Sequence, residues 1–414
     1  MKSLSCNKFQ GEISANPSKS HFIRLLLTAW LYGIELEIIN PCAADDCLAL
    51  INILRKLNSN ISNENNKIIF KPGSIPKTKL KINTKQSATL LRMLSAITAL
   101  TGIYAQLNGS GTLLKRNFSD IIENLQNLNV KFLTNNNLLP FTIQSKIQTP
   151  KIKIDASQSS QFLSGLLIAM SKSNYTEINA KNLVSKSYID LTLETLKSFG
   201  IEIQNLNYEK FILKTINLPR RVTLTCESDW SGASFWLVAG AINGNLTIHN
   251  LNLNSKQGDK IIIDILKNCG ANLKINKNKI SIQKSSLKPF EFDATDYPDL
   301  VPPLIPLALA SDGKSIIYNV DRLTNKESNR LNAIITEYRK LNANIKLKNN
   351  KLIIEKSQLK TAQLKSHNDH RIAMSLIISS TLTSTIKIDN LNCIKKSYPN
   401  FLNDFKKLGG NIHE

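Results

Sequence analysis

NPSKSHFIR, residues 16–24, opens an apolar segment that runs to Gly33. Ser18 or Ser20 is suited to N-cap a helix that the apolar residues after them would form. Lys19 lies at the start of that helix, where unpaired backbone N–H groups and the positive end of the helix dipole attract an anion. Taken alone, the stretch is more typical of a capped amphipathic helix with solvated charges, so its meaning depends on the rest of the chain.

The same kind of helix opening recurs at a regular interval. Openings that follow short strands are 68 to 72 residues apart and are found near Ser18, Gln86, Gln158, Asp229, Pro298 and Asp369. A second set of helices ends in an apolar residue followed by Gly or Asn, at Leu57, Leu128, Phe199, Cys269, Leu341 and Leu408. Gly or Asn at that position suits a left-handed C-cap. Two independent markers with one period predict six copies of a repeat that reads strand, helix, strand, helix, strands.

Six repeats of this length predict an α/β chain of two domains, with three repeats in each. The last repeat stops at Glu414 without its final strands, and SLSCNKFQGEIS at residues 3–14 is available to supply them. The chain is therefore predicted to begin and end in one domain. The predicted bounds are 1–13 with 226–414 for that domain and 14–225 for the other. Because the chain crosses between the domains twice, we expect a hinge, and a cleft between the domains that holds a ligand.

The composition is that of a globular protein with excess positive charge. Hydrophobic residues make up 42% and charged residues 20% of the chain, as in ordinary globular proteins. A net charge of +22 raises nucleic acid as a partner. However, the lysines are spread singly through sequence rich in Asn and Ile, and aromatic residues at 6% leave few platforms for stacking bases. We interpret most of the charge as background, with a smaller set of cations at an anionic site and no nucleic acid partner.

The sequence carries no sign of export or membrane insertion. MKSLSCNKFQ at the N-terminus lacks the apolar core of a signal peptide, and no apolar run is long enough to span a bilayer. The six cysteines are scattered, without a CxxC pair or metal-ligand spacing to histidine. We therefore expect a cytoplasmic location, free thiols, no membrane partner and no metal. The chain is also expected to act as a monomer.

Cations recur at matching ends of the repeats: Lys19, Arg24, Arg116, Lys326, Arg330, Arg371 and Lys396. They predict a cationic cleft for a substrate with several phosphates or carboxylates, since each charge-assisted hydrogen bond contributes roughly 1.5–3 kcal/mol. Ser159, Ser160 and Gln161 add donors in the first turn of a helix. Asp299 and Glu327 would weaken anion binding, so their presence among the cations argues for proton transfer. No Walker loop or Rossmann fingerprint is present, so neither ATP nor a dinucleotide is predicted.

Nine short runs together resemble the 5-enolpyruvylshikimate-3-phosphate synthase family of enolpyruvyl transferases: PSKSHFIR, SATLLR, KRNF, SSQF, LVSKSYID, YPD, KESNR, NDHRIAM and KKSYP. The resemblance covers essentially the full length. It implies two domains, each of three βαβαββ-type repeats with helices inside and sheets outside. It also implies transfer of the enolpyruvyl group of phosphoenolpyruvate to the 5-hydroxyl of shikimate 3-phosphate. Phosphate is released, the reaction belongs to the shikimate pathway of aromatic amino acid biosynthesis, and no cofactor is needed.

The resemblance also implies roles for residues of this sequence. Shikimate 3-phosphate would be held by Ser20, Arg24, Ser159, Ser160, Gln161, Ser185, Asp299 and Lys326. Phosphoenolpyruvate would be held by Lys19, Ala88, Arg116, Gln161, Arg330, Arg371 and Lys396. Asp299 would take the proton of the 5-hydroxyl. Glu327, helped by Lys19, would protonate the methylene carbon and later restore the double bond.

Five positions depart from the family pattern: Gln86 for Asn, Ala88 for Gly, Asn117 for Pro, Arg322 for Asn in some relatives, and Asn329 for Asp. None of the five is one of the implied catalytic residues.

Two other functions compete with this interpretation. The sister enzymes that act on UDP-N-acetylglucosamine share the fold and the phosphoenolpyruvate chemistry, but they generally rely on a loop Cys in the second repeat. Here the second and third repeats contain no Cys. The other competitor is a basic nucleic-acid-binding protein, which would be retained on DNA with a steep salt dependence and would release no phosphate.

Ala88 generates a prediction about inhibition. An added methyl group where phosphoenolpyruvate packs should crowd the longer inhibitor glyphosate more than the substrate, so we predict reduced glyphosate sensitivity. The measurement is glyphosate inhibition of the wild type and of Ala88→Gly, which should be more sensitive. Inhibition as tight as in Gly-containing family members, or unchanged in Ala88→Gly, would contradict the prediction.

Overall fold

The computed structural model describes residues 1–75 and 78–413. Glu414, the last residue of the predicted domain 1–13 with 226–414, lies outside them. It divides the chain into two compact units. The terminal unit is Met1–Asn16 with Ser228–Glu414, and the inserted unit is Pro17–Glu227. These bounds fall two or three residues after the predicted ones. The difference arises because the Ala15 N–H donates to the His249 carbonyl in the terminal unit, whereas the Cys226 N–H donates to the Ile39 carbonyl in the inserted unit.

The strands are short and come in regular groups. The structure gives these strands within residues 1–75 and 78–413: β1 Lys2–Ser5, β2 Phe9–Ser14, β3 Glu35–Ile39, β4 Asn60–Glu64, β5 Lys67–Lys71, β6 Leu80–Asn83, β7 Ala105–Asn108, β8 Phe132–Asn135, β9 Leu138–Ile143, β10 Ile152–Asp155, β11 Glu177–Lys181, β12 Ile201–Leu206, β13 Lys210–Ile216, β14 Arg221–Thr225, β15 Gly244–His249, β16 Asn272–Asn276, β17 Lys279–Gln283, β18 Glu291–Asp293, β19 Lys314–Tyr318, β20 Asn344–Lys348, β21 Lys351–Glu355, β22 Ala362–Leu364, β23 Ile386–Ile388 and β24 Asn411–His413.

Two α-helices belong to each predicted repeat. They are α1 Lys19–Tyr32, α2 Asp45–Lys56, α3 Ala88–Thr101, α4 Ser119–Asn127, α5 Gln161–Ala169, α6 Lys186–Ser198, α7 Trp230–Asn243, α8 Ile262–Asn268, α9 Val301–Ala310, α10 Arg330–Lys340, α11 His370–Ile378 and α12 Phe401–Lys407. Short 3-10 helices lie at Gly111–Lys115, Met170–Lys172, Gly258–Ile261, Pro298–Leu300, Val320–Asn325, Ser379–Leu382 and Asn392–Lys396.

The strands of the described residues form six four-stranded sheets, one for each repeat. In the inserted unit the strand orders are β14-β3-β5-β4, β6-β7-β9-β8 and β10-β11-β13-β12. In the terminal unit they are β2-β15-β17-β16, β18-β19-β21-β20 and β22-β23-β1-β24. In each order as written, the first two strands are parallel to each other and the remaining neighbours are antiparallel. The predicted six-repeat α/β organisation is confirmed.

The N-terminal strands end up in two different sheets. β1 pairs with β23 and β24, so it supplies the strand that the last repeat lacks, as predicted. The prediction was wrong for β2, which pairs in parallel with β15 and starts the sheet of the fourth repeat. That sheet needs a parallel partner because β14, the strand just before α7, pairs with β3 of the first repeat.

The first helix of each repeat forms the interior of its unit. In α1 every residue from Phe22 to Tyr32 is buried, and in α7 every residue from Trp230 to Ile242. A helix that is apolar on all sides belongs in a core rather than at a surface. Accordingly, α1, α3 and α5 are part of one hydrophobic core in the inserted unit, and α7, α9 and α11 are part of another in the terminal unit.

The second helix of each repeat ends with the predicted left-handed residue. The six residues after the apolar ends all have positive φ: Asn58 at 61°, Asn129 at 51°, Gly200 at 78°, Gly270 at 80°, Asn342 at 66° and Gly409 at 100°. Glycine and asparagine tolerate this conformation better than other residues, which explains their recurrence.

Over residues 1–75 and 78–413, no helix is both long and apolar enough to cross a bilayer.

Candidate active site

Some predicted site residues lie at or near the openings of the buried first helices α1, α3, α5 and α11, and others lie near the starts of the second helices. Ser18 caps α1, with its Oγ accepting from the His21 N–H at 3.4 Å, so it and not Ser20 is the N-cap. Ser87 caps α3 in the same way. In the terminal unit Asp229 and Asp369 cap α7 and α11 through their carboxylates. The predicted openings thus lie within two residues of the observed ones, because a cap is determined by local side-chain chemistry.

Lys19 is the first residue of α1, and its ammonium group is paired. Its Nζ lies 3.0 Å from Asp46 Oδ2, and both side chains are largely buried, with 12% and 4% of their surface exposed. Asp46 belongs to the first turn of α2, where a carboxylate also meets the positive end of the helix dipole. Sequence reasoning missed Asp46, although two consecutive acids at a helix start were the available signal.

Arg24 is buried and binds groups of its own unit. Its Nε donates to Thr192 Oγ1 at 2.8 Å, and one terminal nitrogen donates to the Ser20 carbonyl at 2.8 Å. The other terminal nitrogen donates to Ser164 Oγ at 3.3 Å and to the Tyr188 carbonyl at 3.1 Å. Burial lowers the pKa of Arg24 to about 10. The guanidinium therefore connects α1 with α5 and α6 and fixes the backbone at Ser20.

Four predicted residues lie where α3 and α5 begin. Gln161 Nε2 donates to Thr89 Oγ1 at 3.0 Å, which joins the start of α5 to the residue after Ala88. Ser159 Oγ accepts from the Gln161 N–H at 3.2 Å, and Ser160 precedes the first helical residue. The structure therefore brings Ala88, Ser159, Ser160 and Gln161 together in the inserted unit.

Two further residues of this unit occupy loop positions. Ser185 precedes α6 with a left-handed backbone, at a φ of 55°, and is buried. Arg116 follows the 3-10 helix Gly111–Lys115, and its N–H donates to the Leu113 carbonyl at 3.2 Å.

Arg330 is the centre of the site residues in the terminal unit. Its side chain is fully buried and meets three carboxylates. Nε lies 2.9 Å from Asp369 Oδ2, one terminal nitrogen 2.9 Å from Asp299 Oδ1, and the other 2.6 Å from Glu327 Oε2. Burial alone would lower the pKa of Arg330, but the charges of the three carboxylates outweigh it and raise that pKa.

Two more cations contact the same carboxylates. A terminal nitrogen of Arg371 lies 3.2 Å from Asp299 Oδ2, and Lys396 Nζ lies 3.4 Å from Glu327 Oε1. We call these residues, together with Lys326, the ion cluster: Asp299, Lys326, Glu327, Arg330, Asp369, Arg371 and Lys396. All the site residues predicted in the terminal unit are members. Asp369 was predicted only as a helix opening, because nothing local indicates that its carboxylate also binds a distant arginine.

The ion cluster shifts the pKa values of its members in opposite directions. Burial raises the pKa of Asp299, but the charges of Arg371, Lys326 and Arg330 outweigh burial and bring it well below its usual range. Burial lowers the pKa of Lys326 to about 7, and Arg330 adds to that effect while Asp299 opposes it. Asp299 is therefore ionised at neutral pH, and Lys326 titrates in the physiological range.

Outside positions 76, 77 and 414, no group of three or more His, Cys, Asp and Glu side chains is arranged to hold a metal ion.

Comparisons with known proteins agree over the whole chain. The family model for EPSP synthase (3-phosphoshikimate 1-carboxyvinyltransferase) matches residues 5–405. The chain is 36% identical to a 3-phosphoshikimate 1-carboxyvinyltransferase of Clostridium novyi, over 99% of this chain and 97% of that one. It is also 36% identical to the Clostridium kluyveri protein of the same name, with 100% and 99% coverage.

Solved structures show the same fold. An EPSP synthase from Acinetobacter baumannii superposes with a TM-score of 0.80 at 20% identity, covering all of both chains. The enolpyruvyl transferase NikO from Streptomyces tendae gives a TM-score of 0.79 at 15% identity, over 100% of this chain and 98% of that one. The sequence matches and the shared fold lead to one conclusion: this chain belongs to the EPSP synthase (3-phosphoshikimate 1-carboxyvinyltransferase) family.

Proposed function

We propose that this chain transfers the enolpyruvyl group of phosphoenolpyruvate to the 5-hydroxyl of shikimate 3-phosphate and releases phosphate, as a step of the shikimate pathway. The family model and the names of the relatives support this reaction over transfer to UDP-N-acetylglucosamine. The observation that carries the proposal at the level of residues is the ion cluster. It holds two candidate proton-transfer carboxylates, Asp299 and Glu327, on one buried guanidinium.

Binding of phosphoenolpyruvate requires several cations, because the substrate carries both a phosphate and a carboxylate. We assign the binding of phosphoenolpyruvate to five cations and two uncharged residues: Lys19, Arg116, Arg330, Arg371 and Lys396, with Ala88 and Gln161. In the terminal unit the arginines and Lys396 are already oriented by their carboxylate partners. Preorganised donors of this kind stabilise the charge that develops in a transition state without reorganising during the reaction.

Binding of shikimate 3-phosphate requires hydroxyl and amide donors for a sugar-like ring and cations for its phosphate. We assign this role to Ser20, Arg24, Ser159, Ser160, Gln161, Ser185, Asp299 and Lys326. The hydrogen bond from Arg24 to the Ser20 carbonyl supports a role for Arg24 in fixing the backbone at the start of α1.

Asp299 is our candidate for the base in the first step. It would take the proton of the 5-hydroxyl of shikimate 3-phosphate while the hydroxyl oxygen attacks C2 of phosphoenolpyruvate. Its pKa is held low by the surrounding cations, which keeps it ionised but makes it a weak base. The anionic groups of bound phosphoenolpyruvate would offset the charge of Arg371, and this would raise the basicity of Asp299 when it is needed.

Glu327, helped by Lys19, is our candidate for the acid that protonates the methylene carbon. The product of this addition is a tetrahedral intermediate that carries both the phosphate and the carboxylate. Glu327 then takes a proton back from the methyl group while the C–O bond to phosphate breaks, which restores the double bond. The contacts of Glu327 with Arg330 and Lys396 support this role, because they hold its carboxylate in one orientation.

We further propose that the enzyme acts as a cytoplasmic monomer. The six cysteines, all thiols rather than disulfides in the structure, support the location. The two hydrophobic cores, each built from residues of a single unit, support one chain as the working form.

The reaction itself is tested by phosphate release. We expect release when phosphoenolpyruvate is supplied with shikimate 3-phosphate and background release when UDP-N-acetylglucosamine is the acceptor. Release only with the sugar nucleotide, or salt-sensitive DNA retention with no release, would overturn the proposal.

Removing either proton-transfer group should nearly abolish turnover. We expect Asp299→Asn and Glu327→Gln each to lower kcat by about 10²- to 10⁴-fold, the usual contribution of a positioned acid or base. The affinity for shikimate 3-phosphate, measured by calorimetry, should remain largely intact. Asp312→Asn, at an exposed carboxylate of the same unit, is the matched control. A kcat close to wild type in either variant would remove that residue from the mechanism.

The position of Lys326 predicts proton uptake when shikimate 3-phosphate binds. With a pKa of about 7 in the free enzyme, Lys326 is mostly neutral at pH 8. A bound phosphate dianion favours the ammonium form, so each binding event takes up a proton, and affinity falls by up to about tenfold per pH unit above neutrality. Calorimetry at pH 8 in buffers of different ionisation enthalpy measures this uptake.

The uptake should vanish in Lys326→Met and persist in the control variant Lys395→Met, whose side chain is exposed. Wild-type binding at pH 8 without proton uptake would contradict the assignment of Lys326.

A further inference from the structure

Asp259 is a buried carboxylate that the proposed reaction does not use. It lies in the 3-10 helix Gly258–Ile261, and only 5% of the residue is exposed. Within the part of the chain that the structure describes, its Oδ2 has no hydrogen-bond partner. A buried carboxylate oxygen that is left unsatisfied is costly, so its presence calls for a reason.

A chain of contacts leads from Asp259 to the ion cluster. Asp259 accepts a hydrogen bond from the hydroxyl of Ser231, which belongs to the first turn of α7. Ser231 Oγ in turn accepts a hydrogen bond from a terminal nitrogen of Arg371. Arg371 continues to Asp299, through its carboxylate at 3.2 Å and its carbonyl at 3.3 Å. A hydroxyl has one proton to donate, so donating to Asp259 leaves its lone pairs for Arg371.

Three charged groups face Asp259 from the neighbouring elements. Arg371 on α11 attracts its carboxylate, while Asp299 and Asp229, the latter at the N-cap of α7, repel it. Burial and the charge of Asp299 raise the pKa of Asp259 to about 6, although Arg371 and Ser231 lower it. The carboxylate is therefore mostly ionised at pH 7 and becomes neutral in mildly acidic solution.

We propose that Asp259, acting through Ser231, is a positioning residue that holds the Arg371 guanidinium in the orientation that binds phosphoenolpyruvate. This inference rests on the proposed function, in which Arg371 binds that substrate. The ionised carboxylate orients the hydroxyl and adds negative charge behind the guanidinium. A neutral Asp259 instead donates a hydrogen bond to Ser231 Oγ, so it competes with Arg371 for that oxygen, and the negative charge behind the guanidinium is lost.

The test compares Asp259→Asn and Ser231→Ala with the control Asp264→Asn, which makes the same replacement at an exposed residue five positions along. We expect the KM for phosphoenolpyruvate to rise about tenfold in the first two variants, as loss of one charge-assisted contact implies. The KM for shikimate 3-phosphate and all constants of the control should stay within about twofold of wild type. Equal rises in both KM values, or none, would overturn the proposal.

A pH profile distinguishes positioning from loss of structure. Between pH 8 and pH 5, the wild-type KM for phosphoenolpyruvate should approach that of Asp259→Asn as Asp259 is protonated. The second pKa of a phosphate monoester is about 6 and is common to both enzymes, so their KM ratio isolates the contribution of Asp259. A ratio that is constant across this range would contradict the inference.

Two controls keep the outcome unambiguous. Thermal unfolding identifies a variant that does not fold, and if Asp259→Asn fails, an unchanged KM for phosphoenolpyruvate in Ser231→Ala is enough to overturn the proposal, while a selective rise supports it. Phosphate release by the wild type is measured in the same assay. A failure of the proposed reaction would therefore appear in the wild type itself, separately from any effect of the variants.

Discussion

The buried guanidinium of Arg330 is the group on which the polar site of the terminal unit depends. Removing such a cation from water costs several kcal/mol, and breaking a buried ion pair from one side is strongly destabilising. Arg330 offsets this cost with three carboxylates that come from three separate places: the 3-10 helix Pro298–Leu300, the turn before α10 and the N-cap of α11. The same contacts fix Asp299 and Glu327 relative to each other, so charge neutralisation and alignment of the candidate acid and base have one cause.

The inserted unit solves a related problem with neutral partners. Arg24 is as deeply buried as Arg330, but its nitrogens bind hydroxyl and carbonyl oxygens and not carboxylates. Burial lowers the pKa of Arg24, whereas the carboxylates raise that of Arg330. The two buried arginines therefore differ in the partners that the structure describes for them: neutral oxygens for Arg24 and three carboxylates for Arg330.

Local chemistry explains why much of this architecture was predictable. Caps such as Ser18 and Asp229, found at four of the six first helices, depend on a few neighbouring residues, and so does the left-handed Asn or Gly after all six second helices. Their recurrence can therefore be read directly from the sequence. Strand pairing is not local. β2 joins the sheet of the fourth repeat through β15, and β14 joins the sheet of the first repeat through β3. The sequence of a single strand does not indicate which parallel partner it will have.

The sequence by itself determined the six-repeat α/β organisation, the helix openings and the types of residue that the family reaction needs. Only the tertiary structure decided which of those residues share contacts. Lys19 pairs with Asp46, Arg330 gathers Asp299, Glu327 and Asp369, and Arg371 connects through Ser231 to Asp259. Sequence periodicity predicts which end of a helix a residue occupies. The depth of burial and the partner of each charge depend on packing between distant segments, and these two properties determine the pKa shifts of Asp299, Lys326 and Arg330.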